Sequence, residues 1–201
     1  MKKTFIPVML AALMLAASCN KSETEKTEAS TEATSKDLAE DQNDKKFDDT
    51  NLEDDAQFAV KAAEGGLFEV KLANLAQEKA VSPAVKELAD HIAKDHEKAN
   101  TELKALAAKK NITLPDRLSD KCQKDYDDLA KENGIDFDKK YASLMVQDHK
   151  DDIDKFKTES EKGKDADISA WALEKIPTLQ HHLEKAESAE KAVKNDIKAA
   201  N

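Results

Sequence analysis

From Leu52 onward, apolar residues recur every three to four positions through long segments, the period of helices that bury one face. The first segment predicts a helix over about 54–80. Ser82-Pro83 reads as the start of a second, with serine as cap and proline at the first helical position. That helix runs to about Lys110 and stops at Asn111-Ile112-Thr113-Leu114-Pro115. A short helix follows over 119–132, closed by Asn133-Gly134. The third long helix spans about 138–160 and the fourth about 165–198, with Pro177 inside it. At 1.5 Å per residue each long helix extends about 30–45 Å. The expected fold class is all-α: a four-helix bundle over residues 51–201, with a short extra helix in the connection between the second and third long helices.

The pattern before Leu52 is different. Lys2-Lys3, a short apolar run from Phe5 to Ala17, and Leu15-Ala16-Ala17-Ser18-Cys19 form the layout of a bacterial lipoprotein signal. The run is too short to span a bilayer. Residues 1–18 are expected to be removed, leaving Cys19 as the lipidated first residue and the membrane as a partner through that lipid. Residues 20–50 hold ten acids against five bases, one leucine, and no aromatic until Phe47. Such a stretch buries too little apolar surface to offset its ordering entropy, so an acidic, disordered tether is expected over 19–50. Its reach would be on the order of 30 Å.

Composition narrows the classes of partner. The 201 residues carry 37% charged side chains, only four Gly and four Pro, and a net charge of −10. Few glycines argue against Rossmann, barrel and sandwich folds, and the acidic balance against a nucleic-acid partner. With Cys19 lipidated, Cys122 has no disulfide partner within the chain and reads as an inert, part-buried thiol. No phosphate loop, nucleophile triad or catalytically spaced acid pair occurs.

What composition conceals is the placement of five histidines. On the second helix Val85, Leu88, Ile92, Ala99, Leu103 and Leu106 share one stripe. His96 lies about 35° from its centre, and His91 about 105° away, between Glu87 and Asp95. On the third long helix His149 sits at the centre of the Tyr141, Met145, Ile153, Phe156 stripe. On the fourth, His182 is about 60° from the stripe centre and His181 points away. Three histidines, one per helix, are thus expected inside and two outside. Glu69 and Glu64 on the first helix are candidates to complete the layer, with Asp95 and Asp148 as supporting groups; periodicity does not decide between the glutamates.

The Glu-x-x-His spacing of di-iron bundles is absent, because Ala93, Val146 and Leu179 stand three residues before the inward histidines. Adjacent Asp and His diverge on a helix, so Asp95 and Asp148 are poor co-ligands for the histidines beside them. Three readings stay open. The layer is a hydrogen-bonded polar stratum that fixes helix register; or it is a mononuclear Zn, Cu or Fe site of two or three histidines plus a glutamate; or it is a pH-sensitive layer. Gly65-Gly66 reads as a place of close helix approach.

Phe58-Ala-Val-Lys-Ala-Ala-Glu-Gly-Gly-Leu-Phe-Glu-Val-Lys-Leu72, Ser82-Pro-Ala-Val-Lys-Glu-Leu-Ala89, Asp95-His96 with Ala99-Asn100, and Phe137-Asp138 with Tyr141 form an ordered set. Asp148-His149, and Pro177-Thr-Leu179 with His182-Leu183, continue it. Together they resemble the bacterial domain-of-unknown-function family 4142, a ferritin-like helical bundle, over about residues 54–190. The resemblance implies an exported or envelope location, often with a lipoprotein signal, and no established activity. By position Glu69, Asp95, His96, Asp148, His149 and His182 match its signature residues.

The expected function is a non-enzymatic, lipid-anchored envelope protein, on the periplasmic side of the outer membrane or at the cell surface. Its bundle would bind a ligand, with one Zn, Cu or Fe ion on His96, His149, His182 and Glu69 or Glu64 as the candidate. The alternatives are a ferritin-like metalloenzyme or redox protein, and an envelope stress module that meets other envelope proteins through its charged faces.

Overall fold

The structure, a computed structural model, describes residues 33–48 and 52–200. The expected signal segment 1–18, Cys19 and tether residues 20–32 lie outside the described residues. Among the described residues there are six helices and no strand. They are α1 (Ser35–Phe47), α2 (Glu53–Lys79), α3 (Pro83–Lys110), α4 (Asp120–Ala130), α5 (Gly134–Lys162) and α6 (Ala166–Ala200). The long helices are neighbours in a closed order, α2 on α3, α3 on α6, α6 on α5 and α5 on α2. No described helix is long and apolar enough to cross a membrane.

Helix α1 corrects one expectation, because residues 35–47 are helical where a disordered tether was expected to reach residue 50. Its few apolar residues do not carry it alone. Thr34 and Asp37 form a reciprocal capping box that satisfies two N-terminal donors. Ala39 and Phe47 are buried, and the buried Asn43 side chain bonds Thr113 through both its ends at 2.8 Å. Lys36 reaches the Glu64 carboxylate of α2 at 3.0 Å. Anchoring to α2 and to the loop after α3 supplies what composition lacks.

Several helix ends are made by distant groups. The Ser82 side chain makes no capping bond to α3; Asp138 of α5 accepts the Val81 and Ser82 N–H groups instead, the latter at 2.7 Å. Asp55 of α2 accepts the Lys164 and Asp165 N–H groups ahead of α6, at 3.0 and 2.6 Å. Helix α3 ends on Asn111 in the left-handed region (φ 57°), which asparagine tolerates. Helix α5 begins four residues before the expected Asp138, at Gly134 with φ +57°. Helix α6 continues across Pro177, whose missing N–H leaves the Leu173 carbonyl without its helical donor. A Cβ on Gly66 would fall 2.0 Å from Asn100 Oδ1, so the glycine lets α2 and α3 approach closely.

The core is in two parts. Leu72, Leu88, Ile92, Phe137, Tyr141 and Met145 fill one end. Ala59, Leu103, Ala107 and Ile168, with Ile153, Phe156 and Leu179 beside them, fill the other. Between the two lies a polar stratum at residues 69, 96, 149 and 182, one position on each long helix.

Candidate metal centre

Each inward histidine is fixed by the helix stripe that carries it. His149 and His182 are fully buried and His96 is 8% exposed, while His181 is exposed and His91 half-buried. The three rings come together from α3, α5 and α6 with centroids 5.2–5.8 Å apart. One ligand nitrogen from each lies within 4.8 Å of the other two.

The outer nitrogens identify the tautomers. His149 Nδ1 stands 3.0 Å from the Met145 carbonyl, which only accepts, so the proton is on Nδ1 and the Nε2 lone pair is bare. His182 Nε2 stands 3.0 Å from Asp95 Oδ2, which places its proton there and leaves Nδ1 bare. Those two bare nitrogens, His149 Nε2 and His182 Nδ1, face each other at 3.2 Å. A second proton on His182 would bridge them, but burial, followed by repulsion from His96, drives the His182 pKa down to about 4. Burial also lowers His96 and His149. With each ring protonated only on its outer nitrogen, the contact lacks a proton. In tetrahedral coordination at ~2.0–2.1 Å, two ligand nitrogens lie about 3.3 Å apart, so a metal ion fits where the proton is missing.

Glu69 stands behind the rings. Its Oε2 is 2.9 Å from His96 Nδ1 and its Oε1 is 3.4 Å from His149 Nδ1. Neither oxygen has a well-formed hydrogen bond, and His96 Nε2 and the Tyr141 hydroxyl are likewise buried without a hydrogen-bond partner. Burial raises the Glu69 pKa, opposed by His149. Asp148 is pushed up to about 8, first by burial and then by Glu69. Asp95 holds His182 by the nitrogen that faces away from the centre, and Glu69 stands at ion-pair distance from the Nδ1 atoms of His96 and His149.

Glu64 is not brought to the histidines. It is buried under α1, where it accepts from the Ser119 N–H at 3.1 Å and pairs with Lys36. Asp95 contacts His182 of α6 rather than its sequence neighbour His96, as divergence along one helix requires. Reasoning from sequence missed the Met145 carbonyl, which has no side-chain signal, and a cavity of about 120 Å³ that reaches His96 and His182. Phe156, Trp171 and Leu179 form its apolar wall, and Asp95, Asp152, Asn100, Lys98 and Lys175 are among its polar lining. Cys122 lies elsewhere, half-buried, with burial pushing its thiol up.

A family model described as a domain of unknown function, DUF4142, matches residues 39–189. The chain belongs to this family. The DUF4142 match begins inside α1 and contains all four residues of the polar stratum, so the candidate centre is carried by the family's own span. No curated protein and no solved structure matches the chain.

Proposed function

We propose that this DUF4142 protein is a lipid-anchored protein of the bacterial envelope whose four-helix, ferritin-like bundle binds one transition-metal ion on His96, His149 and His182. The observation that carries the metal reading is the pair of bare imidazole nitrogens 3.2 Å apart, each oriented by an acceptor on its far side. Imidazole donors suit Zn, Cu and Fe. The envelope location rests on the lipoprotein-like run ending at Cys19.

The primary role is binding rather than turnover. A second reading, a metalloenzyme or redox protein, is favoured by one observation: the cavity reaches two of the three histidines and leaves a coordination position open to a small molecule. Metal analysis of the mature chain after loading with Zn²⁺, Cu²⁺ or Fe²⁺ tests the binding. About one tightly held ion per wild-type chain after desalting, and less than about 0.1 tightly held ion per His149→Ala chain, is expected; below about 0.1 tightly held ion in both overturns it. Loss of membrane attachment on Cys19→Ala tests the anchor.

A further inference from the structure

The two outward histidines remain without a part in this reading, yet they are not scattered. His91 of α3 and His181 of α6 meet across the seam between their helices, with ring centroids 5.9 Å apart. That separation is close to the 5.2–5.8 Å of the interior rings. Two imidazoles that ligate one ion at ~2.0–2.1 Å have centroids on the order of 5–6 Å apart.

The rest of the seam makes the pair unusual. At three other points a carboxylate of α3 meets a basic group of α6: Glu87 with Lys185, Asp95 with His182, and Glu102 with Lys175. Only acid–base contacts of this kind balance charge and donors with acceptors. At His91–His181 two imidazoles meet edge to face (interplanar 87°) instead, with Glu87 one helical turn before His91 and Asp95 one turn after it. Glu87 Oε1 lies 3.9 Å from His91 Nε2. Glu87 and Asp95 are engaged by Lys185 and His182, so the donors here are the two solvent-facing imidazoles, which suit a divalent transition-metal ion.

Asp95 lies along α3 between this pair and the interior. It follows His91 by one turn, accepts from His182 at 3.0 Å, and forms part of the cavity wall that reaches His96 and His182. We propose that His91 and His181 form a second, solvent-facing site for a divalent transition-metal ion, through which the ion enters and leaves the interior histidines past Asp95. The transfer step rests on the interior site proposed above; the surface site does not. The surface site is open on the water side and two-histidine in character, so it binds the more weakly and exchanges the faster.

The test is Zn²⁺ binding by the full chain, followed by the rate at which an excess of chromophoric chelator strips the tightly held ion. Wild type is expected to hold one tight and one weak ion. His91→Ala/His181→Ala should lose the weak ion, keep the tight one, and release it at least about five-fold more slowly, because the site no longer concentrates cations at the entrance. His149→Ala should lose the tight ion and keep the weak one. A double variant that retains both ions and an unchanged stripping rate overturns the inference. So does a wild type with one tight ion, lost in His149→Ala, and no weak ion; that result leaves the interior site standing. A single weak ion that is lost in the double variant and retained in His149→Ala overturns the interior site and the transfer route together. Both replaced histidines are at the surface, and circular dichroism of each variant checks that the helices persist.

Discussion

Glu159 is a buried carboxyl with a consequence for pH. Its Oε1 has no hydrogen-bond partner, and the group is pushed up to about 7 by burial and then by Asp55, with Asp54 and Asp165 adding to it. In the unfolded chain the same carboxyl titrates near its ordinary 4.5. The folded state therefore holds the proton more tightly, and the associated stability, complete below the unfolded pKa, is lost as pH rises through about 7. Glu159→Gln keeps the shape and removes the titration. Its unfolding free energy from urea melts should equal that of wild type near pH 4 and exceed it at pH 8, by on the order of 1 kcal/mol after solvent screening. Equal free energies at both pH values would refute the assignment. Among single residues, the inward and outward histidines were legible from helical phase alone. Whether Glu64 or Glu69 faced them was not, because α2 is apolar around most of its surface and the cover that takes Glu64 is α1.

The elements that sequence reveals best are those whose apolar stripe is long. Helices α2, α3, α5 and α6 each carry several turns of such a stripe, so their existence followed from period, and only their ends moved. Helix α1 has no such stripe. Its order comes from Thr34–Asp37 capping, a signal readable in the sequence, and from Asn43, whose partner 70 residues away is not. Asn43→Ala removes both of its bonds to Thr113 and leaves that backbone donor and acceptor without their side-chain partner. It should cost about 1–3 kcal/mol and increase amide exchange throughout α1 while leaving α5 protected. Exchange unchanged in α1 would show that the helix is held by other contacts. The contact between Asp95 and His182 was illegible for the same reason: a helix shows which residues share its own face, but not which turn of a neighbour lies opposite.

For the molecule as a whole, the polar stratum lies between two apolar cores, where leaving three imidazoles and a carboxyl unsatisfied is costly. An ion bound there adds its binding free energy to folding. At Zn²⁺ near 100 times Kd the gain is ~2.7 kcal/mol, or about 5–10 °C in Tm for a chain of this size. His149→Leu should abolish that shift while keeping the helices. A wild type whose Tm ignores Zn²⁺, beside a His149→Leu variant of higher Tm, would mark the layer as a packing element only.

The helix starts filled from afar carry a final consequence. Asp138 serves the start of α3 from 56 residues away, and Asp55 serves the approach to α6 from about 110. Asp165 caps the first turn of α6 from within its own hairpin, at the Asp167 and Ile168 N–H groups, but the turn ahead of each helix is bonded only from the opposite half. The α2–α3 half needs a carboxylate from the α5–α6 half, and the α5–α6 half needs one from the α2–α3 half. This reciprocal debt couples the two halves: a chain severed between α4 and α5 should yield fragments frayed in the turns ahead of α3 and α6, with order there regained on mixing.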